Sequence, residues 1–183
     1  MQYCDSQLFT EGAILSIEFA PSLTATEISP ESFKSFVGSF PTGVTVVTWQ
    51  DPRTGPGGMT VNAFASISID PPLIMISLAV GSRAVEPVLK RGSFGVNILA
   101  GNGSRAALAF ARRDTALCSD FGTEPGILGN PLLVDDAVAY ADCDVEQTIP
   151  AGDHVIVIGR VRQASHTGQV PLGYLRRTFA PWA

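Results

Sequence analysis

Between Thr54 and Ser82 the sequence carries a single charged residue, Asp70. Inside that neutral stretch, Met59 to Ile69 alternates with a period of two. Val61, Ala63, Ala65, Ile67 and Ile69 fall in one phase; Thr60, Asn62, Phe64, Ser66 and Ser68 fall in the other. Successive strand side chains point to opposite faces of a sheet, so the pattern predicts one strand with an apolar face and a neutral polar face. Asp70-Pro71-Pro72 ends it, because proline has no N–H for the ladder. Hydroxyls, an amide and a phenyl ring suit the wall of a groove for a flat ligand with polar edges. The competing reading is a solvated face, although such faces usually carry Lys, Glu or Arg.

A second cluster points to an anion. Arg83, Lys90, Arg91, Arg105, Arg112 and Arg113 lie within one stretch whose only acid is Glu86, in a chain of formal net charge −5. A local cationic patch on an acidic chain argues against general nucleic-acid binding and for a small anionic ligand. A solvated helix face is the alternative.

Other chemistries lack their residues. Cys4, Cys118 and Cys143 are widely separated, and His154 and His166 are the only histidines. Neither set has metal-ligand spacing, so no metal site is expected and the thiols read as free and structural. There is no G-x-S-x-G elbow and no Walker phosphate loop. Gly101-Asn102-Gly103-Ser104-Arg105-Ala106 satisfies G-x-G-x-x-A, but a dinucleotide fold needs a further strand directly after the helix. Here the turn-rich segment Gly122 to Gly129 follows instead.

These residues need elements to position them. With 183 residues and 45% hydrophobic content, one domain with a substantial core is expected. No apolar run reaches the roughly 18 to 20 residues of a membrane helix. The first basic residue is Lys34, so a signal peptide is not expected, and the chain reads as soluble and cytoplasmic. Residues 1–28 form an extension and 29–183 the domain. Ser29-Pro30-Glu31 starts a helix whose Phe33, Phe36, Val37 and Phe40 are expected to pack on the core. Strands are expected at Val44–Trp49, Leu73–Val80 (buried on both sides), Phe94–Leu99, Val138–Gln147 and Val155–Val161. A loop is expected over Asp51–Gly58, and a helix over Ser104–Arg113 with Ala107, Leu108, Phe110 and Ala111 inward. Many strands with few, short helices imply a closed or nearly closed sheet.

Six segments, in order and spacing, resemble the flavin reductase domain with the FMN-binding split-barrel fold. They are Phe40 to Thr48, Gly58 to Phe64 with Ser66 to Pro72, Phe94 to Leu99, Gly129 to Leu133, Gly152-Asp153-His154, and Pro171 to Tyr174. The resemblance implies a six-stranded antiparallel split β-barrel with Greek-key connections and a few short peripheral helices. It implies a homodimer that reduces FMN or FAD with NADH or NADPH and passes reduced flavin to a separate monooxygenase. Neither nucleic acid nor membrane is an expected partner.

The implied flavin site draws on the matched segments. Pro41, Thr42, Gly43 and Thr45 come from the first; Met59, Thr60, Val61, Asn62 and Ala63, then Ser66, Ile67 and Ser68, come from the second. Thr60, Asn62 and backbone near Thr42 and Gly43 suit the polar edge of the isoalloxazine. Ser66, Ser68 and Ser82, with Arg83 or Lys90, suit the phosphate. Ser77 and Asn97 complete the set, while Gly152, Asp153 and His154 resemble the nicotinamide-contacting turn, with His154 positioning the ring. A strand-start histidine satisfied by a neighbouring carbonyl is the alternative for His154. Flavin held tightly as a prosthetic group, or bound without catalysis, are the alternative functions. The chain departs from the family pattern at Asn102-Gly103, at Asp120 and in the tail Arg176 to Trp182.

Overall fold

The computed structural model describes residues 27–112 and 120–182; Cys4, Arg113, Cys118 and nearly all of the 1–28 extension lie outside them. The β-branched run expected at Val44–Trp49 forms β2 (Thr45–Asp51), preceded by the short β1 (Thr42–Gly43). β2 turns back through a loop in which Asp51 Oδ1 accepts from the backbone N–H of Arg53 at 2.7 Å. That bond holds the Asp51 carboxyl below its usual range. The return strand, β3 (Gly55–Val61), begins inside the segment expected to be a loop. Its glycines serve close approach: a Cβ on Gly57 would lie 2.5 Å from the Trp49 ring, and one on Gly58 2.7 Å from Phe110.

The expected single strand over Met59–Ile69 is two strands. β3 ends at Val61, and β4 (Phe64–Ser68) starts after Asn62-Ala63. The remaining strands of the main sheet are β5 (Leu73–Ala79), β6 (Ser93–Leu99), β9 (Ala137–Ala151) and β10 (His154–His166). The seven-stranded order is β3-β2-β6-β9-β10-β5-β4, with every pairing antiparallel. Six strands were expected; the break at Asn62-Ala63 makes the seventh. β3 and β4 are opposite edges of this sheet, yet only those two residues separate them. The Phe64 N–H donates to Asn62 O at 3.0 Å and the Ser77 N–H to Ala63 O at 3.1 Å. The sheet is thereby curled until its edges meet.

β5 alternates, with Ile74, Ile76 and Leu78 buried and Leu73, Met75 and Ser77 half-buried, so one side is not core as expected. The interior holds Val47, Trp49, Ile76, Leu78, Phe94 and Val157. α2 (Val85–Arg91) closes one end, with Pro87 tolerated in its first turn. A second cluster, with Val46, Leu99, Phe110 and Leu133, lies under α3 (Ser104–Ala111), so β2 is buried on both faces. α3 faces inward through Ala106, Ala107 and Phe110, whereas Leu108 is 54% exposed. Among the described residues between α3 and β9 are the two-residue β7 (Glu124–Pro125) and β8 (Pro131–Leu132). α1 (Pro30–Val37) is capped by Ser29 as expected, but none of its residues is buried. Phe36 and Phe40 are 74% and 73% exposed, so the phenylalanine stripe does not pack on the core of this chain.

Asn97, expected at the flavin, is wholly buried and occupied. Its Nδ2 donates to Val46 O at 3.0 Å and to Thr48 Oγ1 at 3.3 Å, and its Oδ1 accepts from the Leu133 N–H at 2.7 Å. It pins the 131–133 loop onto β2 and β6. Asn97→Ala strips the buried Leu133 N–H of its acceptor and is expected to lower stability by about 1 to 3 kcal/mol, read from urea unfolding.

Candidate functional site

Where the sheet edges meet, a cavity of about 450 Å³ opens beside the Asn62 corner. Thr42 and Gly43 of β1, Thr45 of β2 and Asn62 form one part of its wall; Phe40, Phe64, Ile98 and Trp182 form the apolar part. The far side comes from Pro171 and β11 (Leu172–Leu175), which pairs with β1 at Thr42↔Tyr174 and Gly43↔Gly173. β11 also pairs with β12 (Thr178–Pro181), so the tail expected to depart from the family pattern forms the return strand of a hairpin. It carries Trp182 back to the cavity, where the Trp182 N–H donates to Pro171 O at 2.8 Å. The indole packs over Gly173, on which a Cβ would lie 2.8 Å from the ring.

Two polar side chains of this wall are uncommitted. Thr42 Oγ1 is buried with no hydrogen-bond partner. Asn62 is exposed to the cavity and its amide has no partner among the described residues. The Thr45 hydroxyl, in contrast, donates to Val61 O, and Thr60 donates to Ala107 O of α3 at 2.6 Å. Thr60 therefore faces the helix, and the expected pairing of Thr60 with Asn62 on one ligand-facing wall is broken at the corner.

The structure brings Pro41, Thr42, Gly43, Thr45 and Asn62 together around the cavity. Val61 is buried in the barrel interior, Met59 packs partly against it, and Ala63 is exposed at the corner. Ser66 and Ile67 are exposed on edge strand β4, while Ser68 and Ser77 are half-buried on β4 and β5. Ser82 Oγ is buried without a partner. Gly152 (φ +63°) and Asp153 form the two-residue turn between β9 and β10, and His154 Nδ1 lies 2.7 Å from Asp153 Oδ1. That contact holds the Asp153 carboxyl below its usual range. None of the three turn residues lines the cavity.

Three cations of the basic stretch, Arg83, Arg91 and Arg105, are engaged by the protein itself. Arg83 donates through Nη2 to Gly58 O at 2.9 Å and to Phe110 O at 2.8 Å, and through Nη1 to Arg112 O. It clamps the end of α3 to β3. Arg91 donates to Leu128 O at 2.6 Å, and Arg105 lies 4.5 Å over the Phe121 ring. Cys143 is buried, which pushes its thiol up to about 12 and leaves it unreactive at neutral pH.

The ring of Phe64, expected on the ligand-facing side, lines the cavity, whereas residue reasoning missed Phe40, Ile98, Leu172 and Trp182 as cavity wall. Their signal was an aromatic or aliphatic type that reads equally well as core. The assembled slot has apolar and aromatic walls and two neutral hydrogen-bonding groups, one of them an orphaned hydroxyl. It can sandwich a planar heteroaromatic and satisfy its polar edge, and so fits an isoalloxazine.

The family model described as flavin reductase like domain matches residues 37–183, a stretch that includes the β11–β12 hairpin of the tail. The chain is 39% identical to a flavin reductase (NADH) of Kitasatospora aureofaciens, over 92% of this chain and 87% of that one. It is 35% identical to a flavin reductase (NADPH) of Lentzea aerocolonigenes, over 92% and 98%. Some relatives are longer: the chain spans 49% of a probable flavin reductase of Rhizobium meliloti. Among solved structures, the styrene monooxygenase flavin reductase of Pseudomonas putida S12 superposes with a TM-score of 0.74 at 32% identity, covering 82% of this chain and 97% of that one. The NADH:FAD oxidoreductase of Streptomyces globisporus, in complex with NAD and FAD fragments, gives 0.79 at 29% identity, with coverage of 87% and 98%.

An orphaned buried hydroxyl is a cost to the empty protein. Thr42→Val removes it at nearly constant shape and is expected to stabilise the ligand-free protein by about 1 kcal/mol, read from thermal unfolding. A fall in stability would show that the hydroxyl has a partner inside the protein.

Proposed function

The chain belongs to the flavin reductase-like domain family, and on that premise we propose that it is an NAD(P)H-dependent flavin reductase. It takes hydride from NADH or NADPH to FMN or FAD and supplies reduced flavin to a separate monooxygenase. The observation that carries this reading is the unpartnered Thr42 hydroxyl, buried in the wall of an apolar cavity. Relatives described as NADH- and NADPH-dependent reductases support the two nucleotides, and the styrene monooxygenase reductase supports the partner.

Flavin supplies the redox chemistry, accepting hydride from the nicotinamide. The chain's part is to bind, orient and keep water out. Thr42 and Asn62 hydrogen-bond the ring edge, while Phe40, Phe64 and Trp182 supply apolar surface against it. His154, its Nδ1 tethered to Asp153, positions the nicotinamide from the tight turn that Gly152 permits. No side-chain nucleophile takes part. A free buried thiol supports a reducing, cytoplasmic setting.

The reading includes a homodimer. On the outer face of the sheet, Met75, Ile156 and Ile158 are half-buried beside Ile67 at 48% and Ile149 at 39% exposure. A contiguous apolar sheet face of this kind suits a second copy of the chain. Ile156→Glu is expected to shift the protein to a monomer in light scattering after gel filtration; an unchanged mass would remove this face from the interface.

Purified protein should oxidise NADH or NADPH in air when FMN or FAD is added. Absence of turnover in all four combinations would end the proposal. Asn62→Ala should weaken flavin binding by about 1 to 3 kcal/mol, measured by fluorescence titration.

A further inference from the structure

The charge that the cavity lacks lies next to it. α1 and the turn between β11 and β12 border a cleft of about 640 Å³ whose lining includes Lys34, Phe40, Asn62, Tyr174, Arg176 and Arg177. Phe40 and Asn62 also line the 450 Å³ cavity, so the two spaces share a wall. Three positive charges and no acidic residue line the cleft. Among the described residues, none of the three cationic side chains has an ion-pair or hydrogen-bond partner.

Backbone geometry adds a second observation. Arg176 and Arg177 take φ of +47° and +67°, a region that L side chains rarely adopt. A two-residue hairpin turn of this form is easiest with Asn-Gly. Two consecutive arginines are therefore placed there against their conformational preference.

Planar forked cations matched with a compact ammonium suit phosphate oxygens. We propose that this cleft is a phosphate subsite, in which Lys34, Arg176 and Arg177 hold a phosphate of a nucleotide whose ring reaches the adjoining cavity. The inference rests on the flavin reductase reading above and names where its ligand's anionic arm goes. It replaces Arg83, which is engaged with backbone carbonyls of Gly58, Phe110 and Arg112. The phosphate belongs either to the flavin or to the nicotinamide dinucleotide, and riboflavin, which has none, separates the cases.

The test compares the full chain with Arg176→Gln/Arg177→Gln, Lys34→Gln and, as the rival location, Lys90→Gln. Binding of riboflavin, FMN and FAD is followed by fluorescence, and KM is measured for NADH and NADPH. A loss of about tenfold for FMN and FAD with riboflavin unchanged supports the subsite and assigns the flavin phosphate. A rise of about tenfold in KM for either nicotinamide nucleotide, with flavin binding unchanged, supports it and assigns that phosphate instead. The subsite is overturned if riboflavin weakens as much as FMN, if no ligand shifts, or if Lys90→Gln alone separates FMN from riboflavin. Retained riboflavin binding also reports an intact fold. An unaltered chain that binds flavin without oxidising nucleotide would sink the reductase reading and leave the FMN-to-riboflavin comparison able to judge the cleft.

Discussion

The structure depends on a two-residue connection between the outermost strands of one sheet. Asn62-Ala63 carries the chain from β3 at one edge to β4 at the other, and a flat sheet cannot satisfy that link. The seven strands curl until their edges touch, aided by the right-handed twist of sheets. Closure joins β3 and β4 at the corner alone, since the two strands are not paired with each other. It also creates the interior that Trp49, Ile76, Leu78 and Phe94 fill, and leaves a gap at the seam where side chains cannot meet.

Around that seam, polar groups divide by whether the protein itself satisfies them. Asn97 and Thr48 tie strands to the 131–133 loop, and Arg83 binds the end of α3 to β3. Each has its hydrogen-bonding capacity used internally, as buried polar groups ordinarily do. Thr42 and Asn62 do not, and their position beside apolar walls is what separates a binding surface from a framework.

Much of this was legible from residue order. The period-two runs gave the strands, the short interrupted helical segments gave a mainly β class, and the missing strand after Ala106 excluded a parallel dinucleotide fold. Glycines misled in one place: those at Gly57 and Gly58 read as a loop because sequence alone cannot tell a bend from close contact with an aromatic ring. The phenylalanines of α1 read as core because periodicity reports an apolar stripe without saying what covers it. The unbroken alternation from Met59 to Ile69 concealed the corner, where the buried phase reverses: Val61 lies in the interior before it, whereas after it Phe64 packs inward and Ala65 and Ile67 are exposed. Charge clustering along the chain picked out Arg83 and Arg91, whereas the cations of the cleft, Lys34 and Arg176-Arg177, are far apart in sequence and are joined only by folding.

Asn62 belongs at once to the joint that shuts the barrel and to the wall of the cavity. A molecule gripping that amide acts as a clasp across the joint. By linkage, whatever free energy it contributes to keeping the barrel shut returns as affinity, so loosening of the joint and release of the guest are one equilibrium seen from two ends.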